Sequence, residues 1–355
     1  MVEVDLDRTL ASPRTRTRGI LRPPGAAEGL PVAVVTGGRP GPTVWINASI
    51  HGDEYLGPSS LARFLEDLAP DDVTGRLILT PILNGGAFRA MGRTDPAEGV
   101  DWNRMWGTGD VPEAPARMRD FLAEEILARS DAVVDLHSGG NRFLQQSFAV
   151  FHRTGGPVDA VSGAMAKASG LPLVWAHAGS ILETSLIAAA TRGGRAATLL
   201  EIGGEGKAEE PEITQMVRAL RGALRAAGVL IGRPRYLATY RVVEGFAIVR
   251  NRVAGLWRRA IEPGADVRAG QALGRVTDGF GDVLETVESA GDGVVLGVCT
   301  YGFVPREDYV AEVGLSVHRE GPPGRVTGGT VPGGRRDQAG PAGSPARTDP
   351  RDPGP

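Results

Sequence analysis

The chain is short of several things that would narrow its chemistry at once. It has one cysteine, Cys299, so it can form neither an intramolecular disulfide nor a cysteine-built zinc cluster. It has no hydrophobic run near the roughly 18 residues a membrane helix needs, so no span is expected. Neither charge dominates: the net charge is -3, which offers no broad basic field to nucleic acid or an anionic membrane. Lysine is almost missing, with Lys167 and Lys207 the only two among 39 basic residues. The opening segment, MVEVDLDRTLASPRTRTRG, lacks the apolar stretch of a secretory signal. With no disulfide to need an oxidising compartment, a cytoplasmic location is expected.

What is present reads as an ordinary globular protein, 41% apolar and 23% charged. At 355 residues it exceeds what one core usually serves, which suggests a large domain and a smaller one. Residues 30 to 230 alternate short β-rich runs (PVAVVT, TVWINASI, RLILTPILN, DAVVDLHS, SFAVF, AATLLEIGG) with segments of helical spacing (PSSLARFLEDL, APARMRDFLAEEILARS, VDAVSGAMAKAS, SLIAAATRG, EITQMVRALRGALRAAG). Such alternation predicts an α/β fold, a mostly parallel mixed sheet flanked by helices. From about residue 240 the helical period stops and short strands alternate with Gly-rich turns, which predicts a small all-β C-terminal barrel or sandwich. The expected division is an N-terminal arm (1–29), an α/β domain (30–232), a β-rich domain (233–316) and a disordered tail (317–355), the last being mostly Gly, Pro, Arg, Ala and Asp.

Three of the apolar runs end in ionisable side chains. TVWINASI leads to His51 and Glu54, DAVVD to His137, and AATLL to Glu201. In a parallel sheet, ligands bind beyond the carboxyl ends of the strands, so these groups should gather at one edge. His51 and Glu54 are three apart, which puts them on one side of a tight turn, and Gly52 lets the backbone bend there. Two imidazoles, a carboxylate and an open position are the ligand set of a hydrolytic zinc site, with Glu201 as general base. The ordinary alternative is that each histidine is a capped or hydrogen-bonded strand end. Asp53 and Asp135 read either as partners orienting the imidazoles or as plain turn residues, while His152 and His177 read as structural.

The loop FRAMGRTDPAEGVDWNRMW adds Arg93, Asn103 and Arg104. Arginine can clamp a carboxylate or stabilise an oxyanion; in a chain this rich in arginine it can also be plain surface.

Taken together, HGDE, GRTDPAEGVDWNR, DLHSG and LLEIGG resemble, in order and spacing, the succinylglutamate desuccinylase/aspartoacylase family of zinc carboxypeptidase-like deacylases. The resemblance spans about residues 30 to 316 and implies a zinc carboxypeptidase-like fold with a barrel-sandwich C-terminal domain. It implies one zinc ion per chain on His51, Glu54 and His137, and Glu201 as general base and acid. It places Arg93 near the scissile carbonyl, and Asn103 with Arg104 on the substrate's α-carboxylate. The implied partner is a small-molecule N-acyl amino acid, hydrolysed to a carboxylate and a free amine. Asn84-Gly85, Trp102 and Met105-Trp106 depart from the family pattern beside the pocket, so they bear on which substrate is used. Arg192, Arg195 and Tyr301 are candidates to read the acyl group. The C-terminal region, 231 to 316, has no lysine to carry lipoyl or biotin, so a walling role at the active-site mouth is expected instead. A metallocarboxypeptidase and a non-catalytic zinc- or metabolite-binding protein are the competing readings, and the sequence leaves room for a homo-oligomer.

Overall fold

The structure, a computed structural model, describes residues 2–25 and 28–324. The predicted tail beyond 324 lies outside the described residues. Four parallel strands form the centre: β3 (Thr43–Ala48), β4 (Arg76–Thr80), β5 (Ala132–His137) and β8 (Ala196–Gly204), in the order β4-β3-β5-β8. All six residues of β3 and of β5 are buried. That fits strands covered on both faces and explains their unbroken apolar runs.

Two layers of helix cover the faces. Leu61 and Phe64 of α2 (Leu56–Glu66), Met165 of α5 (Val158–Ala168) and Leu220 of α7 (Glu210–Ala226) pack with Val44, Ile46 and Val134. Leu122 of α4 (Glu113–Glu125) and Ile187 of α6 (Leu186–Arg192) pack on the other side with Trp45 and Val133. The alternation of Val44 and Trp45 between the two cores is the period of two of a strand.

The N-terminal arm is more ordered than its sequence reading. It forms α1 (Leu6–Ala11) and β1 (Thr15–Leu21), which pairs antiparallel with β2 (Leu30–Thr36), itself antiparallel to β4. TRTRGIL alternates exposed and covered positions, as an edge strand does. The remaining short helix, α3 (Gly85–Arg89), follows β4.

Beyond β8 the sheet is mixed. β6 (Phe143–His152) runs antiparallel to β8, and β7 (Leu173–His177) is parallel to both β6 and β9 (Tyr240–Arg250). β7 was not legible as a strand from the sequence. From Tyr240 to Glu320 every described element is a strand: β10 (Gly255–Arg259), β11 (Asp266–Val267), β12 (Ala272–Thr277), β13 (Val283–Glu288), β14 (Gly293–Cys299), β15 (Phe303–Val304) and β16 (Tyr309–Glu320). Strands β13-β12-β10-β15 make a separate four-stranded sheet. The others continue the large one through β9-β16-β14, and β14 returns to pair with the first residues of β6. Five strands, β6-β7-β9-β16-β14, therefore close on themselves like a barrel. β16 extends to Glu320, so Val317–Glu320, assigned to the tail from composition, are paired with Tyr240–Val243. Lys167 holds that end, its Nζ donating to Glu320 Oε2 at 2.7 Å. Among the described residues no helix is long and apolar enough to cross a membrane.

Candidate active site

The carboxyl ends of β3, β5 and β8 meet as parallel strands must. His137 sits opposite Glu201 in the β5–β8 register, and His51 and Glu54 follow β3 after a sharp turn. The turn is made by Ser49, whose φ is +54°. Gly52 is needed for a different reason from the one its sequence position suggests. A Cβ there would lie 2.0 Å from the carbonyl carbon of Ala87, so glycine admits the backbone of α3 against the site. Asn84 starts that helix, its Oδ1 accepting from Ala87 N at 3.0 Å.

His51, Glu54 and His137 are each 3% exposed, and one ligand atom from each falls within 4.8 Å of the others. They could hold a metal ion. Nδ1 of His51 lies 2.6 Å from Glu54 Oε1, and Nδ1 of His137 lies 3.0 Å from Oε2. The opposite nitrogen of each ring meets another carboxylate: Nε2 of His51 with Asp101 Oδ1 at 3.0 Å, Nε2 of His137 with Asp135 Oδ2 at 3.1 Å. Carboxylates on Nε2 fix each ring and leave Nδ1 as a donor atom facing inward, the way ligating histidines are commonly held. Asp135 is itself held by Asn47 Nδ2 at 2.7 Å. Asp53 holds no imidazole; its Oδ2 accepts from Asn141 N.

Charge follows this packing. Burial opposes ionisation of Glu54, but His51 and His137 outweigh it and hold the carboxyl well below the usual range. Burial likewise opposes a charged His137, and Asp135 and Glu54 overcome it, raising its pKa well above that of free imidazole. At Glu201 the neighbouring His137 and Arg93 do not outweigh burial. Burial, then the charge of Glu54, pushes its carboxyl well above the ordinary value.

Asp101 organises the loop. Its Oδ1 caps the turn at Trp102–Arg104 by accepting from Asn103 N at 2.8 Å, and its Oδ2 takes Nε and Nη2 of Arg93 at 3.1 and 2.8 Å. Arg93 also approaches Glu54 Oε1 at 3.9 Å. Asn103 is buried; its Oδ1 accepts from Leu186 N at 3.0 Å and its Nδ2 lies 3.4 Å from His137 Nε2. Arg104 is exposed at the rim, with Nη1 donating to the Asn103 carbonyl.

The seven residues given metal, catalytic or carboxylate-binding roles from the sequence all line one cavity of about 290 Å³. Three candidates do not reach it. Arg192 donates to the carbonyls of Glu183 and Trp106, and Arg195 to those of Ser130 and Gly193. Tyr301 lies outside the lining, its ring centroid 5.9 Å from the guanidinium carbon of Arg142. His152 and His177 lie outside it too, bonded to Thr191 Oγ1 and Leu182 N respectively. The sequence reading missed Gln145, Tyr309 and Glu312, which line the cavity from β6 and β16, with Gln145 Nε2 donating to Glu312 Oε2 at 3.0 Å. Burial raises the Glu312 pKa against the pull of that bond.

Fold and site together define a class: a mixed α/β protein with a candidate metal centre at the carboxyl edge of its sheet. Residues 40–227 match the succinylglutamate desuccinylase/aspartoacylase catalytic domain, and the chain belongs to that family. It is 28% identical over 256 residues to the N-alpha-acetyl-L-2,4-diaminobutyric acid deacetylase of Halomonas elongata, covering 70% of this chain and 74% of that one. It resembles the product-bound structure of the ectoine utilization protein EutE (DoeB) from Ruegeria pomeroyi with a TM-score of 0.76 and 28% identity, over 84% of this chain and 95% of the other. A succinylglutamate desuccinylase from Silicibacter sp. TM1040 gives a TM-score of 0.75 at 25% identity, over 85% and 95%.

Proposed function

We propose that the protein is a zinc-dependent hydrolase that cleaves the amide bond of an N-acyl amino acid to a carboxylate and a free amine. The observation that carries this reading is the buried His51–Glu54–His137 cluster with Glu201 on the neighbouring strand, directly opposite His137. The deacylases among its relatives support the reaction class.

The donor set fits a divalent metal. Two imidazole nitrogens and a carboxylate lie within ligand distance of one another, and the rings are braced from behind by Asp101 and Asp135. Zinc there would lower the pKa of a water to ~7 and polarise the scissile carbonyl. Glu201 takes the proton of the attacking water and returns it to the amine nitrogen as the C–N bond breaks. Its raised pKa suits a group that must hold that proton between the two steps. Arg93 reaches past Asp101 towards the cluster and is placed to stabilise the oxyanion. Arg104 and the Asn103 amide hold the substrate's α-carboxylate, Arg104 supplying the charge, since the Asn103 carbonyl is already committed to Leu186. The β region walls the mouth through Phe246, Ile248, Arg250, Tyr309 and Glu312.

A cavity of about 290 Å³ sits at the small end of ligand pockets, roughly 300–1,000 Å³, and suits a small amide better than a peptide. The test is free-amine release from N-acyl amino acids and from short peptides, with and without a chelator and with zinc restored. Chelator-sensitive hydrolysis of N-acyl amino acids alone is expected. Cleavage of peptides alone would make it a carboxypeptidase, and zinc binding with no turnover of any amide would make it a binding protein.

A further inference from the structure

The cavity has two ends of opposite character. The charged end has just been described. The other is built by the sheet itself. Leu199 and Glu201 are two apart on β8 and so share a face. Across the β8–β6 ladder Phe148 stands opposite Glu201 and Val150 opposite Leu199, and across the β6–β7 ladder Trp175 stands opposite Val150. One step sideways from the proposed base, the wall becomes aliphatic and aromatic. Phe246 of β9 stacks on Trp175 at 4.4 Å with the rings 11° apart. Phe148, Val150, Trp175 and Leu199 are 3%, 1%, 5% and 5% exposed, so this end is a continuation of the core that has been left open to the site.

Apart from Glu201, no charged group among the described residues serves that end. Arg192 and Arg195, which precede β8, are tied to backbone carbonyls elsewhere. Glu312 lines the cavity but interacts with Arg93 and Arg104 at the charged end. Arg250 stands at the exposed mouth and donates to the Glu307 carbonyl. Two lining residues carry a buried polar atom without a hydrogen-bond partner among the described residues: Gln145 Oε1, on the side chain that bonds Glu312, and, at this end, Trp175 Nε1. A buried N–H left unpaired costs ~1–3 kcal/mol, and such groups are normally satisfied. A ligand that brings an acceptor completes it.

We propose that the substrate group lodged beside Glu201 is apolar, a branched aliphatic chain or an aryl ring, with at most one hydrogen-bond acceptor, met by Trp175 Nε1. A carboxylate placed there would lose its hydration with no countercharge, and an ammonium would find only Glu201, which the proposed reaction needs for the proton of the attacking water. The proposal rests on the amide-hydrolase reading and deepens it. It separates this chain from the diaminobutyrate substrate named for its Halomonas relative, whose side chain carries an ammonium group. The apolar group can be the acyl chain or the amino acid side chain; the chemistry of the pocket is the same for both.

The experiment compares kcat/KM of the zinc-supplied full chain on three sets of amides. N-acetyl-leucine and N-acetyl-phenylalanine put the apolar group on the amino acid. N-hexanoylglycine and N-benzoylglycine put it on the acyl side. N-acetylaspartate and N-acetyl-2,4-diaminobutyrate carry charge. One apolar set should exceed the charged set at least tenfold, and which one does so identifies the buried group. A charged substrate preferred tenfold, or no preference, overturns the proposal and leaves amide hydrolysis intact. If no amide turns over, the hydrolase reading fails, and competitive displacement then decides this proposal alone: hexanoate, benzoate or leucine should bind at least tenfold tighter than succinate or aspartate, and equal affinities overturn it. Ile248→Arg, on a rim position 40% exposed where a charge is tolerated, should cut the best apolar substrate at least fivefold while sparing the charged ones. Trp175→Phe keeps the ring and removes the N–H; a KM raised threefold or more on the best substrate is expected, and an unchanged KM overturns the role given to Nε1.

Discussion

The two halves of this protein bring different things to one cavity. The α/β half delivers its site residues at strand ends and in one loop: His51, Glu54, Arg93, Asp101, Asn103, Arg104, His137 and Glu201. The barrel-like half delivers residues from within strands, such as Val150, Trp175, Phe246 and Glu312, with Tyr309 at the start of β16. Strand ends can expose charge without burying it, since the backbone leaves the sheet there. Strand middles can line a cavity only with what their sheet face would tolerate, which is mostly apolar. The charged and the apolar lining are therefore separately placed in the fold.

The sharpest test of that division is a pair of isosteric changes. Glu201→Gln should lower kcat by ~10²–10⁴ with zinc content unchanged in metal analysis. Glu312→Gln should move kcat less than tenfold. Equal losses would break the comparison, because the barrel side would then carry chemistry. Next, His137→Ala should strip zinc from the purified protein, whereas Trp175→Phe should leave the metal in place. Asp101→Asn acts more gently: it keeps the hydrogen bond to Asn103 N but loses the charge behind His51, and should weaken metal affinity about 10–100-fold in a chelator competition. The smallest effect belongs to the far end of the barrel strands. Burial works to raise the Glu320 pKa, but Lys167 and His318 hold it low. Its contribution is therefore full above the unfolded value near 4.5 and lost as pH falls below it. Glu320→Gln should reduce stability at pH 7 by up to ~1 kcal/mol, discounted for partial exposure, and flatten the acid limb of a denaturation curve.

The asymmetry also sets what could be read from the sequence. His51, His137 and Glu201 were legible because an apolar run stopping at an ionisable residue marks a parallel strand leaving the core. Asp101 stood in a quoted motif but had no evident role, because its partners His51 and Arg93 come together only through the folded loop. Glu312 and Gln145 carry no sequence mark at all: their meeting depends on β14 and β16 folding back onto β6, from Cys299 to Phe143. β7 was missed since LVWAH is short and gives no alternation, every residue being buried. The N-terminal segment was taken for an arm because an edge strand of Thr and Arg looks polar. Gly52 was correctly singled out for the wrong reason, the close approach of α3 being invisible until the chain is folded.

The closure of the five strands has a consequence in time. The central parallel strands are complete by Gly204, but the ring that holds the selective wall is finished only when β16 pairs with β9 and β14 with β6. These are contacts of long sequence separation, which form slowly, and during synthesis the amino-terminal elements emerge first. The residues of the candidate metal centre can therefore assemble while the enclosure is still missing. On that order of assembly the newly made chain would hold the His51–Glu54–His137 cluster open to water until its last strand docks.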